Sequence, residues 1–254
     1  LVLVGVVSGT SSSGGSGSSF TTELHTGQTT SYGTAPDDAD NDGIAKNFTD
    51  NGDRTVTDEH TGLMWMKEDY SDGSLSWEEA LSFCDGNTTA GYVDWRAPSV
   101  LELLTMFDYS YPSNNYKNAA FNWGVSISEY WASTTRSDST SNVYHTVFDS
   151  GAWNFGSMYY QSKTATNTNH GVRCVRGSTS NVVLHTGQTT SYGTAPDDAD
   201  NAGVAKSYTD LGNGTVRDEH TGLIWQQNSS ADDPAYAGTC QGIGQDGCLG
   251  WENA

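Results

Sequence analysis

Apolar residues in this chain come in short runs, some spaced like a helix face and some like a strand, with long polar stretches between them. Ser76 to Cys84 (SWEEALSFC) reads as a helix: Trp77, Ala80, Leu81 and Cys84 fall on one face, and Ser76 with Glu79 forms a capping box. Ser99 to Phe107 (SVLELLTMF) repeats the signature. Its box is Ser99 with Glu102, Pro98 stands just outside, and Leu101, Leu104 and Phe107 make the expected core stripe. Phe48-Thr49-Asp50 and Thr55-Val56-Thr57 flank Asn51-Gly52, a dipeptide suited to positive φ, and so predict a hairpin. Thr61-Gly62 then turns into a third short strand, Leu63 to Met66. Further strands are expected at Tyr130 to Thr134, Val143 to Phe148 and Val172 to Val175, with a turn at Asp149-Ser150-Gly151. Residues 108–128, rich in Tyr and Asn, read as irregular. The pattern predicts an α+β fold of short strands, two short helices and long loops.

One stretch occurs twice. HTGQTTSYGTAPDDADN spans His25 to Asn41 and recurs letter for letter from His185 to Asn201. Similarity continues beyond it, AKNFTDNGDRTVTDEHTGLMW against AKSYTDLGNGTVRDEHTGLIW. The spacing is far longer than a solenoid repeat and predicts tandem whole domains. We expect a complete domain at 21–178 and the opening part of a second at 181–254, which reaches the start of its first helix at Trp251-Glu252-Asn253-Ala254. Such a half-domain would expose a large apolar face unless a longer array or a neighbouring subunit completes it. Ahead of the first copy lie an apolar, β-prone segment (1–9) and a Gly/Ser linker (10–20). The former lacks a basic flank and is too short to span a bilayer; it is either a signal-peptide remnant or a donor strand for a neighbouring sheet edge.

Charge narrows the partners. Thirty-one acidic against 11 basic residues give a formal net charge of -20, which argues against nucleic acid and other polyanions. The Gly, Ser, Thr and aromatic content is that of extracellular β-rich proteins. Four cysteines without metal-ligand spacing predict two disulfides, Cys84–Cys174 and Cys240–Cys248, in an oxidising compartment. The first closes a long loop and stabilises by ~3–4 kcal/mol. N-glycosylation patterns occur at Asn47, Asn87, Asn213 and Asn228.

TDNGDRTVTDEHTGLMW (49–65), SWEEALSFC (76–84), GYVDWRAPSVLELL (91–104), YWASTT (130–135), VFDSG (147–151) and VRCVRG (172–177) follow one another in an order that resembles the Lcl C-terminal-like domain family. That family is named for a collagen-like bacterial adhesin and was formerly a domain of unknown function. The resemblance covers roughly residues 25–177 and restarts at 185–254. It implies a C-type-lectin-like fold and an extracellular adhesion or surface module, often in tandem. The founding adhesin binds sulfated glycosaminoglycans, a ligand that the acidic charge disfavours here. Within the motifs, Asp94, Trp95 and Arg96 read as structural, with Arg96 a buried or half-buried donor.

The strongest ligand-like cluster is Asp38-Ala39-Asp40-Asn41-Asp42-Gly43, which has the alternating acids and the glycine of a calcium loop but lacks the downstream glutamate. We expect calcium at Asp38, Asp40 and Asp42, and a weaker site at Asp198 and Asp200, where Ala202 replaces the third Asp. A solvated acidic turn accounts for the same residues. The six histidines show no arrangement with a nucleophile, so no enzyme is expected. Tyr109, Tyr111, Tyr116, Trp123, Trp153, Tyr159 and Tyr160 offer rings for sugars, or core. Together these features predict a non-enzymatic surface fibre of the protein's own copies, calcium-stabilised and glycosylated, with a glycan-binding adhesin as the rival.

Overall fold

The computed structural model describes residues 25–31, 38–41, 43–71, 75–110, 117–124, 127, 129–148, 157–165, 169–177 and 184–227. Residues 1–9 and 10–20, the 149–151 turn, and Asp42, Tyr111, Tyr116, Trp153, Asn228, Cys240 and Cys248 lie outside them. The described architecture is mixed and β-rich, with several small sheets and a few short helices.

The first sheet joins β1 (Phe48–Asp50), β2 (Thr55–Asp58), β3 (Met64–Met66) and β8 (Val175–Arg176) in that order, all antiparallel. The hairpin forms where the sequence predicts it, but its turn is longer than Asn51-Gly52. Asp50 pairs with Val56, and the Asn51 N–H donates to the Thr55 carbonyl at 3.0 Å. Positive φ falls on Gly52 (77°) and on Arg54 (75°), an unfavourable position for a residue with a Cβ.

The second sheet runs β6 (Ser157–Ser162), β5 (Asn142–Val147), β4 (Glu129–Thr135), β7 (His170–Gly171), with β4 and β7 parallel. Strand β6 was missing from the predicted set. Its SMYYQS sequence does not alternate, because it lies at the sheet edge with Met158 and Tyr160 exposed. The predicted strand Val172 to Val175 is divided instead. The chain leaves the second sheet at Gly171, bridges Tyr70 at Val172 and enters the first sheet at Val175. A Cβ on Gly171 would lie 2.9 Å from both the Tyr70 carbonyl and Ile127 Cγ2, so only glycine permits this crossing.

Helix α2 (Trp77–Asp85) keeps its capping box, and Trp77, Ala80, Leu81 and Cys84 are all buried, as their spacing predicts. Trp77 Nε1 donates to the Ala132 carbonyl at 2.8 Å, which fixes the helix against β4. Cys84 and Cys174, both fully buried, form the expected disulfide. Helix α3 (Val100–Thr105) also keeps its box, and of the expected stripe Phe107 is fully buried, but the buried face is wider than that stripe. Val100, Leu103 and Thr105 face inward together with Glu102, while Leu101 and Leu104 are half-buried. The charge on Glu102 hides this face in the sequence; the carboxylate is buried because Arg96 grips it with two hydrogen bonds of 2.7 and 2.6 Å.

A third sheet, in the order β11 (Ile224–Gln226), β10 (Thr215–Asp218), β9 (Tyr208–Asp210), repeats the register of β1–β3. Val56 pairs with Trp65, and Val216 with Trp225. Short helices α1 (Asp38–Asn41) and α4 (Asp198–Asn201) carry the acidic stretch in each copy.

Candidate functional site

Strand register gathers side chains that are far apart in sequence. Trp131 on β4 faces His145 on β5, and Glu129 faces His170 on β7. Residues two apart share a sheet face, so Glu129, Trp131, His145 and His170 converge there. Among the described residues, Glu129, His145 and His170 are the side chains close enough to share one ion. Glu129 Oε2 lies 3.2 Å from His145 Nδ1 and 3.0 Å from His170 Nε2. The two ring nitrogens are 2.5 Å apart. Two imidazoles on one tetrahedral zinc, with bonds of ~2.0–2.1 Å, hold their nitrogens roughly 3.3 Å apart. The cluster is therefore closed in a hydrogen-bonded form, and a divalent transition ion would enter only if the rings separated. Two imidazoles and a single carboxylate suit such an ion far better than calcium.

His170 is fully buried and stacked on Trp131 at 4.0 Å. Burial, then the neighbouring His145, push its pKa down to about 3, so it is neutral at physiological pH. The hydrogen bond from His145, the largest influence, holds Glu129 below the usual carboxylate range against the opposing effect of burial. The sequence lists six scattered histidines; the fold places the other four in edge-on pairs, His25 with His60 and His185 with His220. Only the strand register could have revealed the cluster, and that is not legible from spacing.

The sequence motifs are structural. Asp94 receives two hydrogen bonds from Arg176, Trp95 is buried with Nε1 on the Thr89 carbonyl, and Arg96 holds Glu102. Arg173, which sequence reading did not single out, is the buried hub. It donates to the Met66, Lys67 and Asn122 carbonyls and to Asp69, and lies 4.5 Å from the Trp123 ring.

Residues 54–176 match the Lcl C-terminal domain family. The matched span runs from the β1–β2 turn to β8 and includes the disulfide, the histidine cluster and the Arg173 hub. No curated protein and no solved structure matches the chain.

Outside the Lcl C-terminal domain match lies the repeated acidic stretch, and its second copy is packed against the matched region. Asp198 is buried, and its Oδ2 accepts hydrogen bonds from Thr134 Oγ1 (2.8 Å) and Thr186 Oγ1 (2.5 Å). Burial, the largest influence, raises its pKa despite those donors. Asp197 accepts from the Tyr192 and Ala199 N–H groups, and Asp200 from Ser191 Oγ and the Asp197 N–H. These carboxylates cap and dock a short helix. In the first copy, Asp40 accepts from Ser31, and Asp38 opens α1. Of the glycosylation patterns, Asn47 and Asn213 are exposed and Asn87 is half-buried. The described loop aromatics do not form one binding face: Trp123 packs on Phe121, Tyr130 and Phe148, while Tyr160 lies under the Arg136 guanidinium at 3.8 Å.

Proposed function

We propose that the chain is part of a non-enzymatic extracellular fibre in which Lcl C-terminal domains of C-type-lectin-like build follow one another in tandem. The observation that carries this reading is the letter-for-letter repeat whose second copy is seated on the domain before it. Successive domains joined in this way keep a fixed orientation, which a fibre needs and a string of independent binding modules does not. The family match points to a surface-associated domain, and a buried disulfide fits an oxidising compartment. No helix among the described residues is long and apolar enough to cross a membrane.

Glycans at Asn47, Asn87, Asn213 and Asn228, and strand addition by residues 1–9 to a neighbouring subunit, belong to the same proposal. Calcium at the acidic stretch would compete with protein donors, because Asp198 and Asp200 already accept hydrogen bonds from Thr134, Thr186, Ser191 and the Asp197 N–H. Isothermal titration of calcium against the wild type and Asp38→Ala, Asp40→Ala chains tests that part: heat lost in the variants supports it. Electron microscopy of the native material tests the fibre. Filaments are expected, and monodisperse single particles would overturn it. The rival, a glycan-binding adhesin, is supported by exposed Tyr109 and predicts selective retention on a glycan array.

A further inference from the structure

Among the described residues, the opening segment contacts its own domain in the first copy and the preceding domain in the second, through different positions. In the first copy the segment holds to its own domain. The Tyr109 N–H donates to the Thr26 carbonyl at 3.0 Å, and Lys46 Nζ donates to the Thr105 carbonyl at 2.7 Å. Gly27, at φ 91°, passes so close to Asp108 that a Cβ would meet its carboxylate oxygen at 2.6 Å.

In the second copy the segment holds to the preceding domain. The Thr135 N–H donates to Gln188 Oε1 at 2.6 Å, and Thr134 donates to Asp198. Glu78 on α2 accepts from both the N–H and the hydroxyl of Thr194, at 2.9 and 2.6 Å. Between them Gly193 lies on α2, where a Cβ would come within 2.8 Å of Leu81 Cδ1 and 2.6 Å of the Ala195 carbonyl. Lys163 Nζ, 4.0 Å from the Trp77 ring, donates to the Tyr192 carbonyl at 3.5 Å.

Gln188, Gly193, Thr194 and Asp198 correspond to Gln28, Gly33, Thr34 and Asp38, whereas the own-domain contacts use Thr26, Gly27 and Lys46. One segment can therefore satisfy both sets at once. We propose that it is a two-faced connector, with one face bound to the domain it opens and the other seated in a socket formed by α2 and the end of β4 on a neighbouring domain. The first copy carries the same docking residues, so it fits any open socket of this kind, including that of a second copy of this chain once its own second segment is expelled. This inference rests on the fibre reading and names its joint.

The test uses the full chain. Gly193→Leu, and separately Asp198→Arg, should expel the second segment and leave the socket open. Each variant should then self-associate in sedimentation velocity with a mass that rises with concentration, while the wild type, whose socket is filled, stays at lower mass. Adding Gly33→Leu to either variant should return it to the monomer. A labelled peptide of residues 25–41 should bind the opened variants at least tenfold more tightly than the wild type. Circular dichroism and a retained Cys84–Cys174 disulfide establish that the variants are folded. Opened, folded variants that stay monomeric and do not take up the peptide would overturn the connector. If filaments are nevertheless seen in native material, the fibre reading survives that failure; single particles with peptide uptake would sink the fibre and leave the socket.

Discussion

Strands β1–β3 and β9–β11 have nearly the same sequence and the same register, yet among the described residues only the first set belongs to a core. Val56 and Trp65 are fully buried in one core cluster with Val100 and Leu103 of α3 and Val175 of β8, while Val216 and Trp225 are half-buried and Tyr208 and Ile224 are exposed. Local bonds are alike in both: the Asp58 N–H donates to Leu63 as Asp218 does to Leu223, and His60 meets the Ala45 carbonyl as His220 meets Ala205. A three-stranded meander with its turns is thus specified locally, and burial is added by elements more distant in sequence.

The largest break in that comparison should come from tryptophan truncation. Trp65→Ala is expected to cost ~3–5 kcal/mol in denaturant unfolding of the full chain, and Trp225→Ala less than about 1 kcal/mol. Equal losses would mean that both sheets sit in comparable cores.

Acid should separate them next, because the histidine cluster belongs only to the first region. His170 has a depressed pKa, so its neutral form stabilises the fold fully above about 6.5, and that stability is lost as pH falls towards about 3. The expected slope from this one proton is about 1.4 kcal/mol per pH unit. His170→Gln should flatten it in urea titrations across that range, and an unchanged slope would refute the assignment. Asp198 has the opposite sign. A carboxyl whose pKa is raised by burial binds its proton more tightly when docked, so docking should strengthen as pH falls through the raised value. Asp198→Asn should keep hydrogen-exchange protection of residues 184–206 at neutral pH and remove its pH dependence.

The smallest effect concerns the turn. Arg54 takes positive φ where the second copy has Gly214, at 82°. Arg54→Gly should raise stability by ~0.5–1 kcal/mol, and Gly214→Arg should lower it by a similar amount.

Local signals were legible in the sequence. Ser76 with Glu79 and Ser99 with Glu102 marked both helix starts, and the apolar spacing of α2 gave its buried face correctly. What depends on partners was not legible. Glu102 is buried only because Arg96 lies opposite it, β6 is an edge strand without alternation, and Glu129, His145 and His170 meet only through strand register. The docking role of Asp198 was not legible either, since the hydroxyl that holds it comes from Thr134, 64 positions away.

The Cys84–Cys174 bridge has a mechanical consequence. The two cysteines are 90 positions apart, and the second is followed directly by β8, the last strand of the first sheet in chain order. Tension applied along the backbone would pass from the end of α2 across the sulfur–sulfur bond and out. The second sheet and its histidine cluster lie in the bypassed loop and would be spared the pull. Since α2 also holds Thr194 of the next segment through Glu78, the same helix would carry force across both the covalent and the non-covalent joint.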